Sequence, residues 1–141
     1  MEHEQESTQV LMKLSRIVIA ENSENQIIVL REAGGAREFP IWIGIYEASA
    51  IDRNLKDIRA PRPLTHDLVC SVIASLGAEL ERVVVTDLRN TTFYAKLMVR
   101  RGDEVVEIDS RPSDAIAIAT QMDVPIYVEE RVLDQVGQSG E

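Results

Sequence analysis

The stretch Ala115–Ile116–Ala117–Ile118–Ala119 has no polar residue on any side. It lies within Ser113–Met122, which Pro112 and Ser113 open in the way helices are commonly opened. A helix that is apolar all round must be covered all round. Its alanines leave room for a sheet to approach closely. Whatever this chain folds into must therefore supply a sheet and further helices to bury that one segment.

The flanking sequence supplies them. Val10–Ala20, Gln26–Glu32 and Arg37–Ile43 read as strands, separated by the polar turn Glu21–Asn25 and the hairpin signal Ala33–Gly34–Gly35–Ala36. In the third strand Phe39, Ile41 and Ile43 alternate against Glu38 and Trp42, and Trp42 reads as core or interface. Gly44 ends that strand. Ala48, Ile51 and Leu55 then recur at helical spacing. Ala60–Pro61–Arg62–Pro63 is a stiff linker. The next helix has Thr65 as its N-cap, Asp67 in its first turn, Leu68, Val72, Ile73 and Leu76 as its buried stripe, and Gly77 as its stop. Glu79–Asp87, Thr92–Arg101 and Glu104–Asp109 read as three more strands, Ile126–Val128 as a last short one, and Glu129–Gln135 as a terminal helical turn. The order βββ-αα-βββ-α-β predicts an α+β (mixed α/β) fold, a mixed sheet packed around a buried helix. One domain over residues 9–135 is expected, with frayed tails at 1–8 and 136–141.

Charge and cysteine content narrow the function. With 15 Lys+Arg against 24 Asp+Glu, the chain carries -9. A general electrostatic grip on nucleic acid is excluded, because that grip is made by Lys and Arg, and any such binding needs a local patch. The single cysteine, Cys70, excludes an intrachain disulfide and a Cys-rich zinc site. It reads as inert packing. No signal peptide and no apolar run near the ~20 residues of a membrane span are seen, so a cytoplasmic protein with no membrane partner is expected.

Phosphate-loop, dinucleotide-binding, serine-hydrolase and zinc-protease motifs are all missing. Carboxylates beside arginines remain. Arg62–Pro63–Leu64–Thr65–His66–Asp67 and Arg111–Pro112–Ser113–Asp114 each place Arg-Pro, a hydroxyl and an Asp at a helix start. Asp87 with Arg89, and Asp109 with Arg111, flank strand ends, and Glu47 starts the first helix. Each has a plain structural reading: Asp67 and Asp114 as helix-dipole partners, the Asp–Arg pairs as turn ion pairs, His66 as a capping-region residue. Each also suits phosphodiester hydrolysis, in which one or two carboxylates hold a hydrated divalent metal and arginines clamp the phosphate. Spatial convergence of the two helix starts separates the readings.

Pro40–Ile41–Trp42–Ile43–Gly44 with Glu47–Ala48, Arg62–Asp67 with Leu68, Asp87–Leu88–Arg89 with Phe93–Tyr94–Ala95, and Ile108–Ala117 occur in the order of one family's motifs. Over roughly Val10–Val132 the chain resembles the bifunctional nuclease family, as a stand-alone bacterial member. The resemblance implies a mixed α/β fold, a homodimer and nuclease activity on DNA and RNA. The family brings no agreed catalytic set, so roles are read from the residues themselves: His66 is expected as general acid or base beside Asp67, and Asp109 and Asp114 as holders of a divalent metal (Mg or Ca). Arg62, Arg89 and Arg111 are expected as phosphate contacts. The rival expectation is a non-catalytic dimeric binding or regulatory module for a protein or anionic ligand.

Overall fold

The computed structural model describes residues 8–20 and 25–139. The expected turn at Glu21–Asn25 and the tail Met1–Thr8 lie largely outside the described residues. Three strands, β1 (Gln9–Val18), β2 (Asn25–Glu32) and β3 (Glu38–Gly44), form an antiparallel meander. Helices α1 (Ile45–Leu55) and α2 (Thr65–Ser75) follow. A second antiparallel meander comprises β4 (Glu79–Arg89), β5 (Thr92–Arg101) and β6 (Glu104–Ser110). Then come α3 (Pro112–Met122), β7 (Ile126–Glu129) and α4 (Glu130–Ser139). The seven strands make one sheet in the order β3-β2-β1-β7-β4-β5-β6. Strand β7 is the joint between the meanders, antiparallel to β1 and parallel to β4. No described helix is long and apolar enough to cross a membrane.

Helix α3 is covered as its composition demands. Residues Ala115 to Ala119 are at most 3% exposed, packed against α1, α2, β4 and β5. Asn54 of α1 donates its amide to the Ala117 carbonyl and to Thr120 Oγ1, both at 3.0 Å, and so ties two apolar helices by a directed contact. Asp123 ends α3 in the left-handed region, and Pro125 follows two residues later. The sheet curls around this core. Phe39 of β3 and Phe93 of β5 meet with ring centroids 5.4 Å apart, although β2, β1, β7 and β4 separate their strands in the sheet.

Several details depart from the sequence reading. Leu64, not Thr65, is the N-cap of α2, and Asp67 closes the turn by accepting the Leu64 N–H at 2.8 Å. The buried face of α2 is Cys70 and Ile73, with Val69 packed beside them. Leu68, Val72 and Leu76 are exposed. Leu55 is also exposed, and so is Trp42, at 63%. The C-terminal helix runs past Gln135 to Ser139, and Val136 packs against the core rather than fraying.

Replacing Ala117 by Leu inserts three carbons into a position with no free space and is expected to cost about 1–3 kcal/mol of stability, read from urea midpoints. Ala117→Glu, which buries an unpaired charge, is expected to yield no soluble folded protein.

Candidate functional site

The first turns of three helices meet at one point. At α1, Gly44 is the N-cap and Glu47 lies in the first turn. A Cβ on Gly44 would fall 2.6 Å from Glu47 Oε1, so any larger residue there would make the carboxylate shift from this position. At α2, Pro63 and the extended Leu64 bring the chain in, Asp67 fixes the turn, and His66 projects toward α3. At α3, Arg111 is the extended N-cap, Pro112 occupies the first helical position, and Asp114 lies in the first turn.

Asp114 connects all three. Its Oδ1 is 2.9 Å from His66 Nε2, across 48 residues of sequence. Its Oδ2 accepts from Arg111 Nε at 3.1 Å and lies 3.0 Å from the terminal Nη2. That Nη2 also donates to Glu47 Oε2 at 2.9 Å. The side chains of His66 and Glu47 are 17% and 18% exposed, while Arg111 is 66% exposed and carries further N–H donors toward solvent. Asp114 first, and Glu47 second, raise the Arg111 guanidinium above its ordinary pKa. A carboxylate on Nε2 fixes that nitrogen as the N–H donor and leaves Nδ1 as the basic lone pair.

Of the residues proposed from sequence, His66, Arg111 and Asp114 converge. Asp67 shares the first turn of α2 but spends its carboxylate on the Leu64 N–H. Arg62 lines the same cleft as His66, a space of about 790 Å³ between α2, the 56–64 loop and the end of α3. Cys70 lines it too; burial, then the Asp67 charge, pushes its thiol up and leaves it unreactive. Arg89 is elsewhere, bonded to Asp87 at 3.1 Å and lying over the Tyr94 ring at 4.8 Å. Asp109 faces Lys96 across the β5–β6 ladder. Lys96 lies between the buried Ala95 and Leu97, so it and Asp109 point to the sheet face opposite the one that α3 covers. The expected Asp109–Asp114 metal pair is therefore not assembled. Among the described residues no group of three or more His, Cys, Asp or Glu is placed to hold a metal ion. The convergent carboxylates are Glu47 and Asp114, and both are bonded to Arg111. Sequence reasoning counted Glu47 among the candidate acids without giving it a role; its position in the first turn of α1 brings it to Arg111.

The family model for the bifunctional nuclease domain matches residues 28–141. The chain belongs to the bifunctional nuclease family. An uncharacterized protein of Mycobacterium tuberculosis (strain H37Rv) is 49% identical over 118 residues, covering 83% of this chain and 70% of that protein. Bifunctional nuclease 1 of Oryza sativa subsp. indica is 28% identical over 118 residues, covering 81% of this chain and 36% of its own length. Bifunctional nuclease 2 of Arabidopsis thaliana is 30% identical over 105 residues, covering 72% of this chain and 32% of its own length. The chain thus spans about a third of those plant relatives. The bifunctional nuclease match contains all four residues of the helix-start cluster.

The Glu47–Arg111 pair is half open to solvent and should contribute little on its own. A double-mutant cycle with Glu47→Gln and Arg111→Gln is expected to give a coupling of about 0.5–1 kcal/mol that shrinks at high salt.

Proposed function

We propose that this bifunctional nuclease domain hydrolyses phosphodiester bonds of DNA and RNA at the junction of the three helix starts. The observation that carries the reading is the His66–Asp114 contact, which joins two Arg-Pro segments remote in sequence. Asp114 holds the imidazole with Nε2 protonated. Nδ1 then takes the proton of an attacking water as its oxygen bonds to phosphorus. The ester oxygen departs on the opposite side and takes its proton from solvent. The free donors of Arg111, with Arg62 in the adjoining cleft, hold the non-bridging oxygens. Three helix N-termini add their positive ends where charge builds on the phosphate. Attack by water needs no ribose 2′-hydroxyl, so one site serves both polymers. No step is routed through a metal, because the donors for the expected pair lie on opposite faces of the sheet.

His66→Ala and Asp114→Asn are each expected to lower turnover about 10²- to 10⁴-fold with little change in melting temperature. Asp109→Asn should stay within about twofold of the parent. Rates on fluorogenic single-stranded DNA and RNA, with thermal melts alongside, check all three. Full activity per folded molecule in the His66 and Asp114 variants would reduce both residues to helix capping.

A further inference from the structure

The sheet has one face region that no described helix covers and that runs against the charge of the chain. The register of β1, β2 and β3 sets nine residues of their outer face in three rows. Val18, Ile27 and Trp42 lie side by side, then Arg16, Val29 and Pro40, then Lys13, Arg31 and Glu38. Residues opposite one another in an antiparallel ladder share a face, so these rows are one surface. It carries three cations and one anion, in a chain of net charge -9. Arg16 and Arg31 share the single carboxylate of Glu38, at 3.9 and 3.5 Å, and their side chains are 57% and 50% exposed.

Aromatic exposure follows the same path. The chain has one Trp, three Tyr and two Phe. The two most exposed are Trp42 at 63% and Tyr46 at 84%, both on the segment that runs into Glu47. A large exposed aromatic flanked by cations is how proteins hold unpaired bases: the ring stacks on a base, and the cations meet the phosphates on either side. A duplex keeps its bases stacked inside and offers no ring to Trp42. A second copy docked through this same face would bring three more cations and only one more anion into the contact.

We propose that the outer face of β1–β3 is a docking platform for single-stranded nucleic acid. Bases stack on Trp42, phosphates lie on Lys13, Arg16 and Arg31, and the strand passes over the β3 edge to Tyr46 at the start of α1 and the Glu47 end of the site. The proposal rests on the nuclease reading for what happens to the strand, but the platform binds whether or not the strand is cut.

Trp42 is the only tryptophan, so its own emission reports the contact. The experiment titrates the full chain carrying His66→Ala with a ten-residue oligothymidylate, and separately with that strand annealed to oligoadenylate. The single strand is expected to quench Trp42 saturably, and the duplex much less. Affinity should fall with salt at a log–log slope near about -2, roughly 0.7 for each of three cations. Arg16→Gln with Arg31→Gln, which leaves the fluorophore in place, should weaken binding at least about tenfold and lower that slope by about 1.4. Tyr46→Ala should weaken binding about tenfold. Unquenched emission overturns the proposal, as does quenching indifferent to salt and to the arginines. A protein-concentration-dependent emission shift without nucleic acid, with a dimer in sedimentation, would give the face to a second copy and also overturn it. Wild-type cleavage without quenching removes only the platform; quenching without cleavage removes only the nuclease reading.

Discussion

Burial of α3 is the constraint from which the rest of the architecture follows. A helix with alanine and isoleucine on every side gains nothing from water and must be enclosed by neighbours close enough to exclude it. Alanine at positions 115, 117 and 119 brings backbone near backbone, and Ile116 and Ile118 fill what remains. Enclosure takes α1 and α2 beside the helix and a sheet curved enough for Phe39 and Phe93 to touch. Within that enclosure α1 and α2 begin at the same end as α3, and the residues of those first turns meet. The site is in this sense a by-product of covering an apolar rod.

How α2 faces the core shows what sequence pattern could and could not reveal. Its sequence contains two overlapping stripes. One, Leu68, Val72 and Leu76, is the more apolar and reads as the inner face. The other, His66, Val69, Cys70 and Ile73, has the same helical spacing but begins with a polar residue. The second is the face that packs: Cys70 and Ile73 are buried against the core, Val69 lies beside them and His66 reaches Asp114, while the leucine stripe is left in solvent. No local pattern announces a partner 48 residues away. The repeated Arg-Pro-hydroxyl-Asp segments do hint at it, since each marks a helix start of the same chemistry. Asp109 misled for the opposite reason. It stands close to Asp114 in sequence, yet strand alternation and the turn at Ser110–Arg111 send the two to different faces.

Electrostatics are arranged locally against a global excess of acid. Glu47 and Asp114 would repel a phosphate, but Arg111 sits between them, offsets one of the two charges and presents its spare donors outward, and Arg62 in the cleft beside His66 offsets the other. Asp67 turns its charge into a backbone N–H. On the far side of the sheet, Lys96 with Glu107 and Arg131 with Asp87 pair off acids that would otherwise add to the field. A chain of strongly negative net charge can in this way offer an anion a neutral approach.

The short strand β7 has a consequence for how the molecule comes into being. Among the described residues the two meanders share no ladder, and Ile126–Glu129 is their only bridge within the sheet. During synthesis the first meander leaves the ribosome long before that bridge exists, and β1 waits with an unpaired edge for a partner more than a hundred residues downstream. Closing so long a loop is slow, and an open strand edge invites pairing with the wrong chain. The nascent protein is therefore most exposed to misassembly just before β7 emerges, and interruption of translation upstream of Ile126 would release a chain whose two half-sheets share no ladder.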